Sequence, residues 1–231
     1  MDLSTELRKY LLDNGATEVG FADMSEVTIL KGLNTGVVFY IAYPKDILKR
    51  MDDAPTMEYV LKLVEMNKEL DKLGMLSEEY LKNKGFDAYA QTKIRLGTDF
   101  GDDNSFELPH KTFATKAGLG WIGKSALLIT EKYGSAIRLS SVLTNAPLET
   151  ATPITESKCG ECNLCQRACK AGAISGKNWN YLSKRNDFYD DKKCEKYMLK
   201  ITEKKLGKPD TVCGKCIHAC IYTKRYYQSK N

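Results

Sequence analysis

Apolar residues recur at helical spacing in the opening segment, LSTELRKYLLDNG, where Leu3, Leu7 and Leu11 share one face ahead of Gly15. Two runs with strand character follow, TEVGFAD and GVVFYIAYP. The second is apolar almost without interruption, the pattern of a strand covered on both faces, and Pro44 closes it. Beyond Pro55, TMEYVLKLVEMNKELDKLG sets Met57, Val60, Leu61 and Val64 at helical spacing and predicts a long helix. Gly74 is expected to break that helix, with LSEEYLKNKG as its sequel. FDAYAQ reads as a short strand, and residues 135–143 read as another. Strands alternating with helices predict an α+β domain over residues 1–150. Pro147 and Pro153 bracket a polar stretch, LETATPITES, expected to link it to a second domain over 151–231.

That second domain carries every cysteine in the chain. CGECNLCQRAC places Cys159, Cys162, Cys165 and Cys169 as C-x2-C-x2-C-x3-C. Cys194 stands alone, and VCGKCIHAC adds Cys213, Cys216 and Cys220 as C-x2-C-x3-C. Two-residue gaps let three thiolates converge on one cubane cluster, while the fourth cysteine of such a run serves a second cluster. The spacing therefore predicts two [4Fe–4S] clusters with crossed ligands. The first takes Cys159, Cys162, Cys165 and Cys220; the second takes Cys169, Cys194, Cys213 and Cys216. Zinc prefers paired C-x2-C knuckles, and a disulfide framework belongs to small secreted domains. Neither pattern fits. The residues following the last cysteine of each run are Lys170 and Ile221, where proline is frequent in ferredoxins; proline there shapes backbone and ligates nothing.

Charge changes the picture modestly. The formal balance is +5, yet residues 159–231 hold 16 Lys and Arg against 7 Asp and Glu. Two clusters with their thiolates would each bring about −2, so much of this excess is expected to offset them. A basic docking face for an acidic electron donor, or for nucleic acid, is the sharper alternative. The longest apolar run, VVFYIAY, is far short of the ~20 residues of a membrane span. Clusters that need reduced thiols favour a reducing compartment, so the cytoplasm is the expected location.

The other informative stretch is LPHKTFATKAGLGWIGKSALLIT. Gly118, Gly120 and Gly123 satisfy G-x-G-x-x-G, and Gly118 through Ser125 satisfy G-x-x-x-x-G-K-[ST]. Both phosphate-binding motifs need a strand before the glycines and a helix after them. Here HKTFATKA reads as a helix and ALLIT as a strand, in the reverse order. Nucleotide binding is not expected. The remaining readings are a structural turn that packs Trp121, or a loop lining another cofactor pocket.

AGLGWIGKSALLI, GSAIRLSSVLTNAPL and the two cysteine runs, in this order, resemble the epoxyqueuosine reductase family, which is related to reductive dehalogenases. The resemblance covers residues 100–231 well and the first hundred only in element order. It implies a nitroreductase-like α/β sandwich domain followed by a ferredoxin-like double-cluster module. It further implies cobalamin as a cofactor, with Gly118, Gly120, Trp121, Gly123 and Lys124 as cofactor-binding candidates. Electrons from a ferredoxin- or flavodoxin-type donor would pass through the clusters to cobalt, which would reduce a small organic substrate. The chain departs from the family in ending soon after Cys220, without the helical-repeat extension used toward tRNA; on that ground nucleic acid is not expected as a partner. Where the family carries an Asp-Ser-Ala-Pro run, this chain reads GDDNSFELPHK, so His110, Asp102 and Asp103 are the candidate proton donors. An imidazole with an ordinary pKa of ~6.5 suits that role near neutral pH. The competing function is an electron-transfer protein that relays electrons to a partner. The size of the first domain favours the enzyme.

Overall fold

A computed structural model describes residues 2–26, 30–92 and 108–229. Asp102 and Asp103 lie outside them. The chain forms two compact units, and it crosses between them more than once. The first unit comprises residues 1–41, 65–119 and 138–154; the second comprises 42–64, 120–137 and 155–231. Two segments that precede the first cysteine, 42–64 and 120–137, therefore belong to the cysteine-bearing unit.

The first unit is built on a four-stranded sheet ordered β1-β2-β6-β3. Its strands are β1 (Glu18–Asp23), β2 (Thr35–Ala42), β3 (Ala88–Ala90) and β6 (Ile137–Thr144). β1 pairs antiparallel with β2, Val19 opposite Phe39, and β3 pairs antiparallel with β6, Tyr89 opposite Leu143. β2 is buried at six consecutive positions, which explains its uninterrupted apolar run. Helix α1 (Leu3–Asp13) starts at Asp2, whose carboxylate accepts the Thr5 amide at 3.0 Å, and it turns Ser4, Leu7 and Leu11 inward against β1. Helix α4 (His110–Lys116) also packs on β1. It presses Phe113 against Gly36 of β2 so closely that an added Cβ would lie 2.5 Å from the ring.

Helix α3 (Met57–Asn83) is continuous. The break expected at Gly74 does not occur. At that point the helix passes β3, and a Cβ on Gly74 would sit 3.5 Å from both Ala90 and Thr92, in ordinary contact. The glycine is tolerated inside the helix because tertiary contact outweighs a local cost of ~1 kcal/mol. One turn further on, the buried Glu78 accepts the Ala90 amide at 2.7 Å and pairs with Lys82. Helix and strand are tied together there.

In the second unit, α2 (Lys45–Lys49) packs on α8 (Ile221–Gln228). The Tyr226 hydroxyl donates to the Tyr43 carbonyl at 3.0 Å. A two-stranded hairpin, β4 (Trp121–Ile122) with β5 (Leu128–Ile129), follows the glycine stretch. Trp121 is fully buried and meets Tyr222 edge-on at 5.1 Å. Gly134, with φ +59°, backs directly onto the backbone of Thr223, whose hydroxyl accepts the Ser135 amide at 3.1 Å. Among the described residues, no helix is long and apolar enough to cross a membrane.

Two glycines test this packing in opposite senses. Gly36→Ala should lower unfolding stability by ~1–3 kcal/mol through overpacking against Phe113 and Met24. Gly74→Ala should raise it by ~0.5–1 kcal/mol, since the site has room for a methyl in a helical backbone. Urea midpoints of the two variants check both. A loss at Gly74→Ala would mean the helix is not held continuous as described.

Candidate functional site

The second unit gathers the cysteines by short turns and one-turn helices. The Cys162 amide donates to the Cys159 carbonyl at 3.0 Å, closing a turn around Gly160, φ +52°. Gly214, φ +81°, occupies the same place between Cys213 and Cys216. The repeated C-G-x-C lets each pair of thiols face one side, because a left-handed residue bends the chain sharply. Helix α5 (Leu164–Ala168) continues the first run and helix α7 (Lys215–Ala219) the second, and the two pack together. Cys220 ends α7 in an extended conformation and opens α8, so it leaves its own run.

As a result Cys159, Cys162, Cys165 and Cys220 line one pocket of about 360 Å³, open solvent included. Ile129, Leu164, Ile221 and Tyr222 supply its apolar wall. Burial and the neighbouring Cys159, Cys220 and Cys162 push the Cys165 thiol up to about 11. The other four cysteines form a second group. Burial first, then Cys213, Cys194, Cys165 of the first pocket and Cys169, raises Cys216 strongly. Burial chiefly raises Cys213 and Cys194 as well, and Cys169 lies close enough to add to both. Helix α6 (Asp191–Leu206) brings Cys194 in on its first turn, started by Asp190 capping the Lys193 amide at 3.0 Å. Tyr189 lies beside Cys194, and the Ala173 amide donates to the Cys169 sulfur at 3.4 Å.

Several buried thiols facing one another resist ionising together, and a polynuclear metal centre reverses that preference. Among the described residues no group of three or more His, Cys, Asp or Glu is arranged to hold a metal ion. A methyl at Gly123 would come within 2.7 Å of the Ile129 side chain and 3.5 Å of the Cys159 sulfur, so the glycine keeps this wall clear. The donor set fits a cubane.

The glycine stretch divides between different surroundings. Gly123 and Lys124 line the first thiol pocket. Gly118, Gly120 and Trp121 are absent from that lining. Gly118 faces the Thr152 carbonyl, and Gly120 sits directly against the Ile129 carbonyl. A helix precedes the glycines and a hairpin follows them, the reverse of a phosphate loop. Ser157, Asn178 and Tyr189, which support the thiols or their turns, carry no spacing signal. The repeated C-G-x-C could have marked Gly160 and Gly214.

In the first unit His110 opens α4. Its Nδ1 lies 2.7 Å from the Ser141 hydroxyl, which also takes a hydrogen bond from the Gln91 amide at 2.8 Å. The hydroxyl that accepts from Gln91 still has its own proton to give to Nδ1 of a neutral imidazole. Desolvation, with smaller contributions from the Arg138 and Lys111 cations, pushes His110 down to about 4. Part of the residue remains accessible, but the direction agrees with the hydrogen-bond chain. A neutral His110 is not the ready imidazolium that its ordinary pKa implied.

No family model matches the chain. It is similar to an epoxyqueuosine reductase of Listeria monocytogenes, 36% identical over 125 residues, covering 51% of this chain and 30% of that protein. It is 35% identical over 104 residues to an epoxyqueuosine reductase of Bacillus subtilis, covering 45% and 24%. The chain thus spans less than a third of these relatives' length. A crystal structure of epoxyqueuosine reductase with an epoxyqueuosine-modified tRNA stem loop shares the fold at TM-score 0.62 and 22% identity, over 96% of this chain and 65% of that one. A reductive dehalogenase structure described in terms of B12-dependent dehalogenation matches at TM-score 0.65 and 16% identity, over 96% and 32%.

The depressed His110 pKa has a testable sign. A base that is neutral when folded stabilises the protein above its unfolded pKa of ~6.5, and that contribution is lost as pH falls toward about 4. Unfolding stability of the wild type should therefore fall more steeply between these values than that of His110→Gln. Equal slopes in urea titrations at pH 7 and pH 5 would refute it.

Proposed function

We propose that the chain is a reductase of the epoxyqueuosine reductase type, in which two [4Fe–4S] clusters feed electrons to a corrinoid that reduces an organic substrate. The observation that carries this is the convergence of Cys220 on the pocket of Cys159, Cys162 and Cys165, with Cys169 grouped instead with Cys194, Cys213 and Cys216. That exchange of cysteines is the arrangement of two-cluster ferredoxins. When bound, the clusters supply one-electron transfer at low potential. The thiolates would hold them, the Ala173 amide donates to the Cys169 sulfur, and apolar side chains limit water at the first pocket.

The similarity to epoxyqueuosine reductases and the fold shared with a B12-dependent dehalogenase support the corrinoid. On this reading the first unit is nitroreductase-like, the second ferredoxin-like, and the cytoplasm is where a ferredoxin- or flavodoxin-type donor would meet them. A proton for the substrate would come from Asp102 or Asp103, ahead of α4 in sequence, or from the neutral N–H of His110, its first residue. With its pKa pushed down, His110 is suited to orienting its partner.

A second reading concerns the substrate's carrier. The likeness to a reductase bound to a tRNA stem loop supports a modified nucleoside within RNA rather than a free small molecule. The basic excess of residues 159–231 is compatible with it. The expectation against nucleic acid rested on where the chain ends, which carries no weight beside that likeness.

Anaerobic reconstitution with iron and sulfide, then incubation with cobalamin, tests the proposal. About eight irons per chain and a corrinoid retained through gel filtration are expected. Eight irons without corrinoid would favour a relay that only passes electrons to a partner protein. Cys169→Ala should disturb the cluster of Cys194, Cys213 and Cys216 and leave the other, read by EPR. Selective loss of the cluster held by Cys159 and Cys220 would sink the crossed assignment.

A further inference from the structure

The first thiol pocket has a feature that the cysteine spacing does not require, a buried cation in its wall. Lys124 follows Gly123 at the start of the turn between β4 and β5, and is only 6% exposed. The turn is fixed by the Gly123 amide donating to the Leu127 carbonyl at 2.9 Å and the Ala126 amide to the Gly123 carbonyl at 2.9 Å. The Lys124 ammonium donates to the Gly160 carbonyl at 2.7 Å, and the Asn178 amide donates to the same oxygen at 3.2 Å. Gly160 lies between the ligands Cys159 and Cys162, so the lysine grips the turn that presents them. Among the described residues no carboxylate forms an ion pair with Lys124. A buried ammonium with only a carbonyl partner is costly unless an anion lies near. The pocket it lines is where four thiolates would converge.

We propose that Lys124 is a positioning residue that raises the reduction potential of the first cluster; this rests on the cluster reading above. A cubane with four thiolates carries about −2 and gains one further negative charge when it takes an electron from a low-potential donor. A fixed positive charge in a wall of low polarity stabilises the more negative state more strongly, and so favours reduction. The hydrogen bond to Gly160 has a separate effect, holding the ligand turn in shape. The two effects can be separated because glutamine keeps a donor without the charge, whereas arginine keeps the charge.

The test is a redox titration of the reconstituted full chain, followed by EPR, for wild type, Lys124→Gln and Lys124→Arg. Lys124→Gln should keep both clusters while one couple shifts down. At a fixed ambient potential, the ratio of reduced to oxidised first cluster should fall about tenfold, or ~59 mV for a one-electron couple. The second couple should stay in place, and Lys124→Arg should remain near wild type. Full cluster content in Lys124→Gln with both potentials unchanged would overturn the proposal. So would an equal shift in Lys124→Arg, which would assign the effect to shape rather than charge. If Lys124→Gln fails to hold the first cluster, Lys124→Arg decides: wild-type content and potential support the role, and loss of the cluster there refutes it. A wild-type chain without clusters would instead defeat the reading on which the proposal rests.

Discussion

Thiols brought together in a partly apolar pocket repel one another as they ionise, and that constraint organises the second unit. Burial and mutual proximity raise Cys165, Cys194, Cys213 and Cys216 above the ordinary thiol range. Such a site is stable in the thiolate form only around a strongly cationic core. The surrounding structure serves the same requirement. Left-handed glycines bend the two C-G-x-C turns, Gly123 clears the wall beside Cys159, and the Ala173 amide reaches the Cys169 sulfur.

The first unit is governed by a different balance. Its sheet is covered closely enough that β2 shows no polar alternation, and Gly36 is required where Phe113 crosses it. Two sets of its buried polar groups are satisfied together, Gln91–Ser141–His110 and Glu78 with the Ala90 amide, while the buried Ser77 and Ser140 hydroxyls have no hydrogen-bond partner among the described residues. A histidine held neutral in this way is suited to orienting or accepting a hydrogen bond. It is poorly suited to delivering a proton from an imidazolium at neutral pH.

The cysteine unit is the best-defined part of the candidate site. The glycine stretch joins that unit through Gly123 and Lys124, and Gly118 and Gly120 press on nearby carbonyls of the protein itself. One sequence motif therefore serves two purposes: a tight structural turn, and a wall of the thiol pocket.

The local elements were legible in the sequence because they depend on short-range periodicity. Leu7 and Leu11 of α1, the unbroken apolar run of β2 and the helix ahead of the glycines are all readable this way. Short cysteine gaps limit where each sulfur can point, and the fold brings Cys220 to the pocket of Cys159, Cys162 and Cys165. Tertiary structure alone decided the rest. Gly74 does not end α3, because packing beside β3 outweighs intrinsic propensity. Residues 42–64 and 120–137 join the cysteine unit through contacts between segments far apart in the sequence. The neutrality of His110 and the burial of Lys124 come from desolvation and from partners 31 and 36 residues away. No pattern along the chain encodes those distances, and they determine the charge that each side chain presents.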